Sequence, residues 1–415
     1  MIHSNIKRYA NPLSLIVRLI LITALSLTAG CDLLLGADPR EVKQFTEQWQ
    51  SEIITTGKIS GLDFVISDGG DLLTSYVHEE SQIRVSRLNS DEWEHLEGPA
   101  ISGSGTIAKT RIASGPGGEA ALLYYSGSDM EIIPIASSLG SSIPLTTLET
   151  TRRDTLYPRP VSWNYDSTDI AFSPDGLIRA VVGDETDKRL WLFREEDSGW
   201  SLGIVPNSAS TDGKVELVVS PTGNEHVVYQ ANSQGYYYWW RPNEGWWERV
   251  KIPDSQPYLL RLRSDETSIL ATRQLNRIRL AEEGYDPVLN GPVWRLRTAV
   301  ENELLFWHNM DLALDNNGFP SIIYVLYQDW DDQFQVKFTS MELDGTWSTS
   351  TVASNLRIPY FSPFNLRMAR DTSGRIHIIL TTGTVSGVSG TNQDYAYQLI
   401  HLYTDNPHGA DQQSR

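Results

Sequence analysis

The chain has 415 residues, with 34 Lys and Arg against 52 Asp and Glu, 40% hydrophobic residues, 13 Trp, 18 Tyr and a single Cys. Such a length buries a large core and allows more than one domain, while a formal charge of −18 argues against nucleic acid, whose phosphates require clustered Lys and Arg. One Cys excludes an intrachain disulfide and any Cys-based zinc site.

The first thirty residues carry Lys7, Arg8 and Arg18 and no acid, then an apolar run from Leu19 to Leu27, then Thr28-Ala29-Gly30-Cys31. A basic start, a short apolar stretch and small residues describe a secretion signal peptide over 1–30, too short to span a bilayer with Arg18 at its edge. Leu27-Thr28-Ala29-Gly30-Cys31 resembles the lipobox of bacterial lipoproteins. The resemblance implies that Cys31 becomes the lipidated first residue of the mature chain. It also implies that 31–41 is a tether and that the protein is anchored to the membrane of the bacterial cell envelope, facing the periplasm. Asp32, directly after the cysteine, is similar to the inner-membrane retention signal of enteric bacteria. The alternative is an ordinary cleaved signal with an accidental cysteine, but a lone thiol exposed outside the cytoplasm is a liability.

From residue 42 to 403 one pattern recurs: an apolar strand, a turn ending in Gly, a second strand rich in β-branched residues and Tyr, a third strand, and a polar turn leading to Trp. The turns end at Gly70, Gly118, Gly176, Gly223, Asp265, Gly318 and Gly374, about 40–60 residues apart, the period of a four-stranded propeller blade. Six positions after the turn stand Tyr76, Tyr124, Tyr229 and Tyr324, with Val182, Ala271 and Leu380 in the other units. Trp93, Trp200, Trp246 and Trp347 open fourth strands, with Tyr285 as the substitute in unit five and no counterpart in unit two. Unit seven lacks an outer strand before the polar tail 404–415, and the segment around Trp49 supplies one, so that the N-terminal strand closes the last blade. The fold class is therefore all-β, one seven-bladed β-propeller of four-stranded blades. The repeat resembles the broad sialidase-like and WD-type group of propellers. Asp91-Glu92-Trp93, Asp197-Ser198-Gly199-Trp200, Asn243-Glu244-Gly245-Trp246 and Asp344-Gly345-Thr346-Trp347 look like eroded Asp-boxes of the sialidase repeat. Such boxes bear on fold and hardly on activity.

Enzyme signatures are missing: the sequence contains no His-Glu-x-x-His, no Gly-x-Ser-x-Gly, no phosphate loop and no Gly-x-Gly-x-x-Gly, and it points to no catalytic residue, metal or cofactor. The innermost strand of each blade starts at the face that carries the inter-blade crossovers. Seven positions before each turn end stand Asp63, Arg111, Asp169, Glu216, Tyr258, Asp311 and Arg367. Six of these seven are charged, and they form a candidate binding site at the channel mouth for a cation, an amine or a polyol. The competing reading is a salt-bridged network in which Arg111 and Arg367 neutralise the acids and seal the channel. Arg261 and Arg370 stand nearer the turn and are expected on the opposite side of their strands. Acidic second-to-third-strand turns, among them Asp129 and Asp184, are expected to make the crossover face electronegative. Tyr236 to Trp240 and Trp246-Trp247 offer rings for glycan stacking or for packing between blades.

The leading expectation is a non-enzymatic binding or assembly module that meets a protein partner or an envelope glycan through the crossover face. The alternative is a carbohydrate-active enzyme or lectin of sialidase-like fold, with an acid pair such as Asp63 and Asp169 for general acid and base catalysis.

Overall fold

The computed structural model describes residues 45–405, apart from 80, 90–91, 101–108, 127–128, 146–162, 187, 206–207, 210, 233, 242–246, 253–255, 275, 287–290, 302, 304, 330–332, 358–364 and 390–391. The signal peptide, Cys31, Asp32, the tether, Trp246 and nearly all of the tail lie outside the described residues.

Alternating apolar residues and β-branched runs make strands, and the strands form seven four-stranded antiparallel sheets in a ring. The innermost strands are Ile59–Ile66, Thr110–Ser114, Trp163–Phe172, Thr211–Val219, Gln256–Leu262, Leu305–Leu314 and Leu366–Arg370. In blades one to six the four strands follow one another in sequence. Blade seven takes its outer strand from the other end of the described chain: Gln50–Thr56 pairs antiparallel with Asn392–Thr404, Glu52 opposite His401. The N-terminal strand thus closes the ring, as the missing outer strand of unit seven requires. A single pair, Arg357 with Gly383, further joins blades six and seven.

The core lies between blades. Tyr76, Tyr124, Tyr229 and Tyr324 are buried in it, in the column six residues past the turn. Tyr229 stacks with Tyr238 of its own blade at 5.8 Å, on the side of blade three, and Tyr237 meets Trp294 of blade five edge-on at 5.6 Å. Trp240 lies under Arg194 of blade three at 4.3 Å, and Trp239 lies under Arg241 at 3.5 Å. Packing between blades therefore accounts for the aromatic run of the third strand in blade four.

The seven turns between first and second strands share one backbone pattern, in which the first residue accepts from the N–H three residues on and donates to the carbonyl four residues on. The third position after the first has a left-handed φ throughout: Gly70, Gly118, Gly176, Gly223, Gly318 and Gly374, with Glu266 at φ 65° in blade five. A glutamate replaces the usual glycine there, and its carboxylate is held by Asn224 Nδ2 at 3.0 Å and by the Thr222 hydroxyl, both in blade four. The turn of blade five therefore ends at Glu266, one residue later than Asp265. Every column read from it shifts by one, so Thr272, rather than Ala271, takes the place of the buried tyrosines.

Two outer strands depart from expectation. In blade five the third strand runs on to Asp286, with Tyr285 inside it opposite Pro292, and the outer strand is Gly291–Glu301. Its tryptophan is Trp294, which docks on Tyr237. In blade two the outer strand is only Ile143–Pro144, and Pro144 has no N–H with which to continue a ladder.

Trp49, just before the closing strand, is buried against Phe338 of blade six, with centroids 6.0 Å apart, in the cluster that joins blades six and seven. Trp49→Ala should cost about 3–5 kcal/mol of unfolding free energy; urea denaturation reads it, and a loss below about 1 kcal/mol would show that the closure is not carried by this side chain.

Candidate functional site at the channel mouth

An innermost propeller strand is laddered on one side only, so the N–H groups on its other edge face the channel and need acceptors. The charged column supplies four of them, each from the preceding blade. Asp63 Oδ2 accepts the N–H of Ile112 at 3.0 Å, Asp169 Oδ2 that of Leu217 at 2.7 Å, Glu216 Oε2 that of Leu260 at 3.1 Å, and Asp311 Oδ2 that of Met368 at 2.8 Å. Arginines make the other three junctions. Arg111 Nε donates to the carbonyl of Thr168 at 3.2 Å, Arg261 Nη2 to Asp311 Oδ1 at 3.0 Å, and Arg367 Nε to Asp63 Oδ1 at 2.7 Å. All seven blade junctions are clasped, in the same sense around the ring.

Six of the seven expected residues, Asp63, Arg111, Asp169, Glu216, Asp311 and Arg367, line one cavity of about 300 Å³. Tyr258 is a correction. With the turn of blade five ending at Glu266, the column position is Leu259, which pairs with Ala271 as Asp63 pairs with Ser75; the side chain of Tyr258 lies outside the described residues. The same shift reverses the expectation for Arg261. It stands two residues past Leu259, on the channel side, and bridges Glu216 at 3.3 Å and Asp311 at 3.0 Å. Arg370 does point away, to Ser321 Oγ at 2.7 Å. Lys214 was missed by the column, being two residues before Glu216, and pairs with its Oε1 at 3.2 Å. The alternation of a strand, applied from the corrected turn, would have found both Arg261 and Lys214.

Charge is thereby matched more closely than four acids against two bases. Burial works to raise Asp63, but Arg367 and Arg111 hold it below the usual carboxylate range. Glu216 is likewise kept low against burial by Lys214 and Arg261. Asp169 differs. Its nearest ion-pair partner is Arg111 at 3.9 Å, and burial together with the adjacent Glu216 pushes it up to about 7. Lys109, two residues before Arg111, is pushed down to about 8 by burial and by Arg111. On the crossover face, Asp129 is buried and accepts from Trp163 Nε1 at 3.1 Å, and Asp184 accepts from the N–H of Thr186 at 2.8 Å. Asp129 thus ties its turn to the first strand of blade three, and Asp184 serves its own turn. Among the described residues no group of three or more His, Cys, Asp or Glu is arranged to hold a metal ion.

No family model matches the chain and no curated protein matches it. Solved structures similar to it include the WD40 domain of SCAP from fission yeast, with 12% identity over 86% of this chain and 88% of that one and a TM-score of 0.46. The SapL1 lectin in complex with alpha methyl fucoside has 12% identity over 75% of this chain and 97% of that one, with a TM-score of 0.44. The Dos1 propeller has 10% identity over 88% of this chain and 97% of that one, with a TM-score of 0.43. Values this low carry no argument about ligand or activity.

The clasps separate two acids that look alike in the sequence. Asp63→Asn leaves Arg367 buried without its carboxylate and should destabilise by about 3–5 kcal/mol. Asp169→Asn keeps an oxygen for Leu217 and should stabilise the protein above pH 7. The folded-state carboxyl holds its proton more tightly than the unfolded one, so the parent loses stability as Asp169 ionises, and the advantage of Asn fades as pH falls from about 7 towards 4. Chemical denaturation of both variants at several pH values measures this, and equal losses in the two would refute the assignment.

Proposed function

We propose that the chain is a non-enzymatic bacterial envelope lipoprotein, anchored through lipidated Cys31, whose propeller binds a protein partner or assembles part of an envelope complex through its crossover face. The observation that carries this reading is the use of the channel column. Its carboxylates and guanidinium groups are committed to holding neighbouring blades together, and the acid pair offered for catalysis is divided between two such clasps. Asp63 is bound to Arg367 and to the N–H of Ile112, and Asp169 to the N–H of Leu217. The channel mouth then acts as a rigid hub. Recognition falls to the loops that several blades present on one face.

Two experiments test the reading. Labelled palmitate should enter the parent and not Cys31→Ala, and globular fractionation of the parent with the soluble proteins would remove the anchor. A photo-crosslinker at exposed Glu185, in the second-to-third-strand turn of blade three, should capture one partner in intact envelopes, while the same group at exposed Asp68, on the opposite face, should not. Cleavage of an envelope glycan, or a thermal shift with sialic acid or a neutral sugar that Asp169→Asn abolishes, would replace this reading with the carbohydrate one.

A further inference from the structure

The two ends of the propeller meet in blade seven. His401, on the third strand, stands opposite Glu52 of the N-terminal strand and Ile379 of the second strand. His377 is two residues from Ile379, so both imidazoles share the face turned to blade one. The rings are nearly parallel, with centroids 5.2 Å and planes 6° apart, and both are buried, at 4% exposure for His377 and 1% for His401. An unbroken chain of polar contacts runs through them. Asp371 Oδ2 lies 3.3 Å from His377 Nε2, His377 Nδ1 lies 3.0 Å from His401 Nε2, and His401 Nδ1 lies 2.6 Å from Glu52 Oε1. Trp93, on the outer strand of blade one, donates its Nε1–H to the same Glu52 oxygen at 3.0 Å.

Each of the three contacts along this chain needs one hydrogen, because imidazole nitrogens and carboxylate oxygens otherwise meet lone pair to lone pair. Two neutral imidazoles bring two. If each donates to its own carboxylate, His377 Nδ1 and His401 Nε2 face one another bare at 3.0 Å. A third proton removes the conflict. The charged surroundings favour it: Asp371 and Arg375 face the dyad from the second strand and its turn, Asp405 and the ring of Tyr403 from the end of the third strand, and Glu52 from the N-terminal strand. Arg375 is the cation of this set and is already paired with Asp405 at 2.7 Å. Blade one contributes the neutral Trp93, whose ring meets that of His401 edge-on at 5.5 Å.

We propose that blade seven is latched by one stored proton: His401 is an imidazolium that donates Nδ1–H to Glu52 and Nε2–H to Nδ1 of a neutral His377, whose own Nε2–H goes to Asp371. Burial and the neighbouring His401 push His377 down to about 4, in keeping with its neutral state, and the bond from His401 holds Glu52 below the usual carboxylate range. When the proton leaves, two lone pairs oppose each other and Glu52 loses its charged partner. The strand Gln50–Thr56 then parts from the third strand and from Trp93 while the other blades keep their ladders. The closed seam holds one proton more than the open seam, so closure weakens as pH rises.

Hydrogen exchange of the full chain, read as protection factors near pH 6 and near pH 9, tests the latch. Protection of the Gln50–Thr56 amides should fall by up to about tenfold per pH unit while the closed seam keeps the proton that the open seam has released, and level off once both have lost it, with blades two to five unchanged. His401→Gln, which keeps a donor but cannot titrate, should show the same protection of that strand at both pH values. Imidazole 15N shifts of the parent near pH 6 give a second readout that needs no variant: both nitrogens of His401 protonated, and Nε2 alone of His377. Protection in the parent that does not change with pH, a His401 nitrogen without its proton, or a His401→Gln strand that still loses protection at high pH would each overturn the proposal.

Discussion

Each innermost strand of this ring has a ladder on one side and an unpaired edge on the other, and that edge borders a channel in which Arg111 and Asp311 are buried. An N–H left without an acceptor in such a place costs about 1–3 kcal/mol. At every junction a polar side chain from the preceding blade reaches across, and at four of the seven it is an acceptor for such an N–H. Four junctions place a carboxylate on the N–H that follows the column position. The other three use a guanidinium, which finds a carbonyl or the carboxylate of the next acid. Asp63 and Glu216 keep their charge under burial because cations stand beside them, so Arg367, Arg261 and Lys214 are a condition of that burial rather than an addition to it.

This accounts for a dense set of charges in the channel without any reaction. Around the ring the signs alternate through Arg367, Asp63, Arg111 and Asp169, and the alternation breaks at one step, where Asp169 is followed by Glu216. Lys214 and Arg261 compensate Glu216 directly, which leaves Asp169 as the acid with the longest ion-pair contact of the four and the one whose charge is hardest to keep. An acid pair with separated affinities is the usual mark of general acid and base chemistry. Here the separation follows from ring packing, and each member of the pair holds a strand in place.

How much of this the sequence showed depended on glycine. The left-handed turn position is written as Gly in six blades, and from those six the period, the buried tyrosines and the column of clasps could all be read. Blade five puts Glu266 at that position, where the carboxylate is held by Thr222 and Asn224. A one-residue error in a strand exchanges its two faces, and so Tyr258 stood in for Leu259 while Arg261 was assigned to the wrong side. Outer strands were legible where a tryptophan opened them and failed where the anchoring ring came late, as with Trp294. The missing strand of blade seven was legible because the last unit lacked an outer strand and the segment around Trp49, ahead of the first unit, reads as one. The dyad behind it was not, since Glu52 and His401 are 349 residues apart and only the register of the closed sheet puts them side by side.

The junction between blades seven and one is built from two chemistries at two radii. Near the channel it is Arg367 on Asp63, a pair whose cation stays charged at any pH the protein meets. Further out it is His401 on Glu52, with Trp93 of blade one on the same oxygen, a pair whose cation can be discharged. The other blades are each one continuous run of chain, whereas the outer strand of blade seven has no covalent link to the strand it pairs with and is held there by its ladder, by the buried Trp49 and by the contacts of Glu52. A change of pH therefore acts where the ring has no covalent continuity, and the arginine clasp at the channel keeps the remaining strands in register when the outer strand lets go.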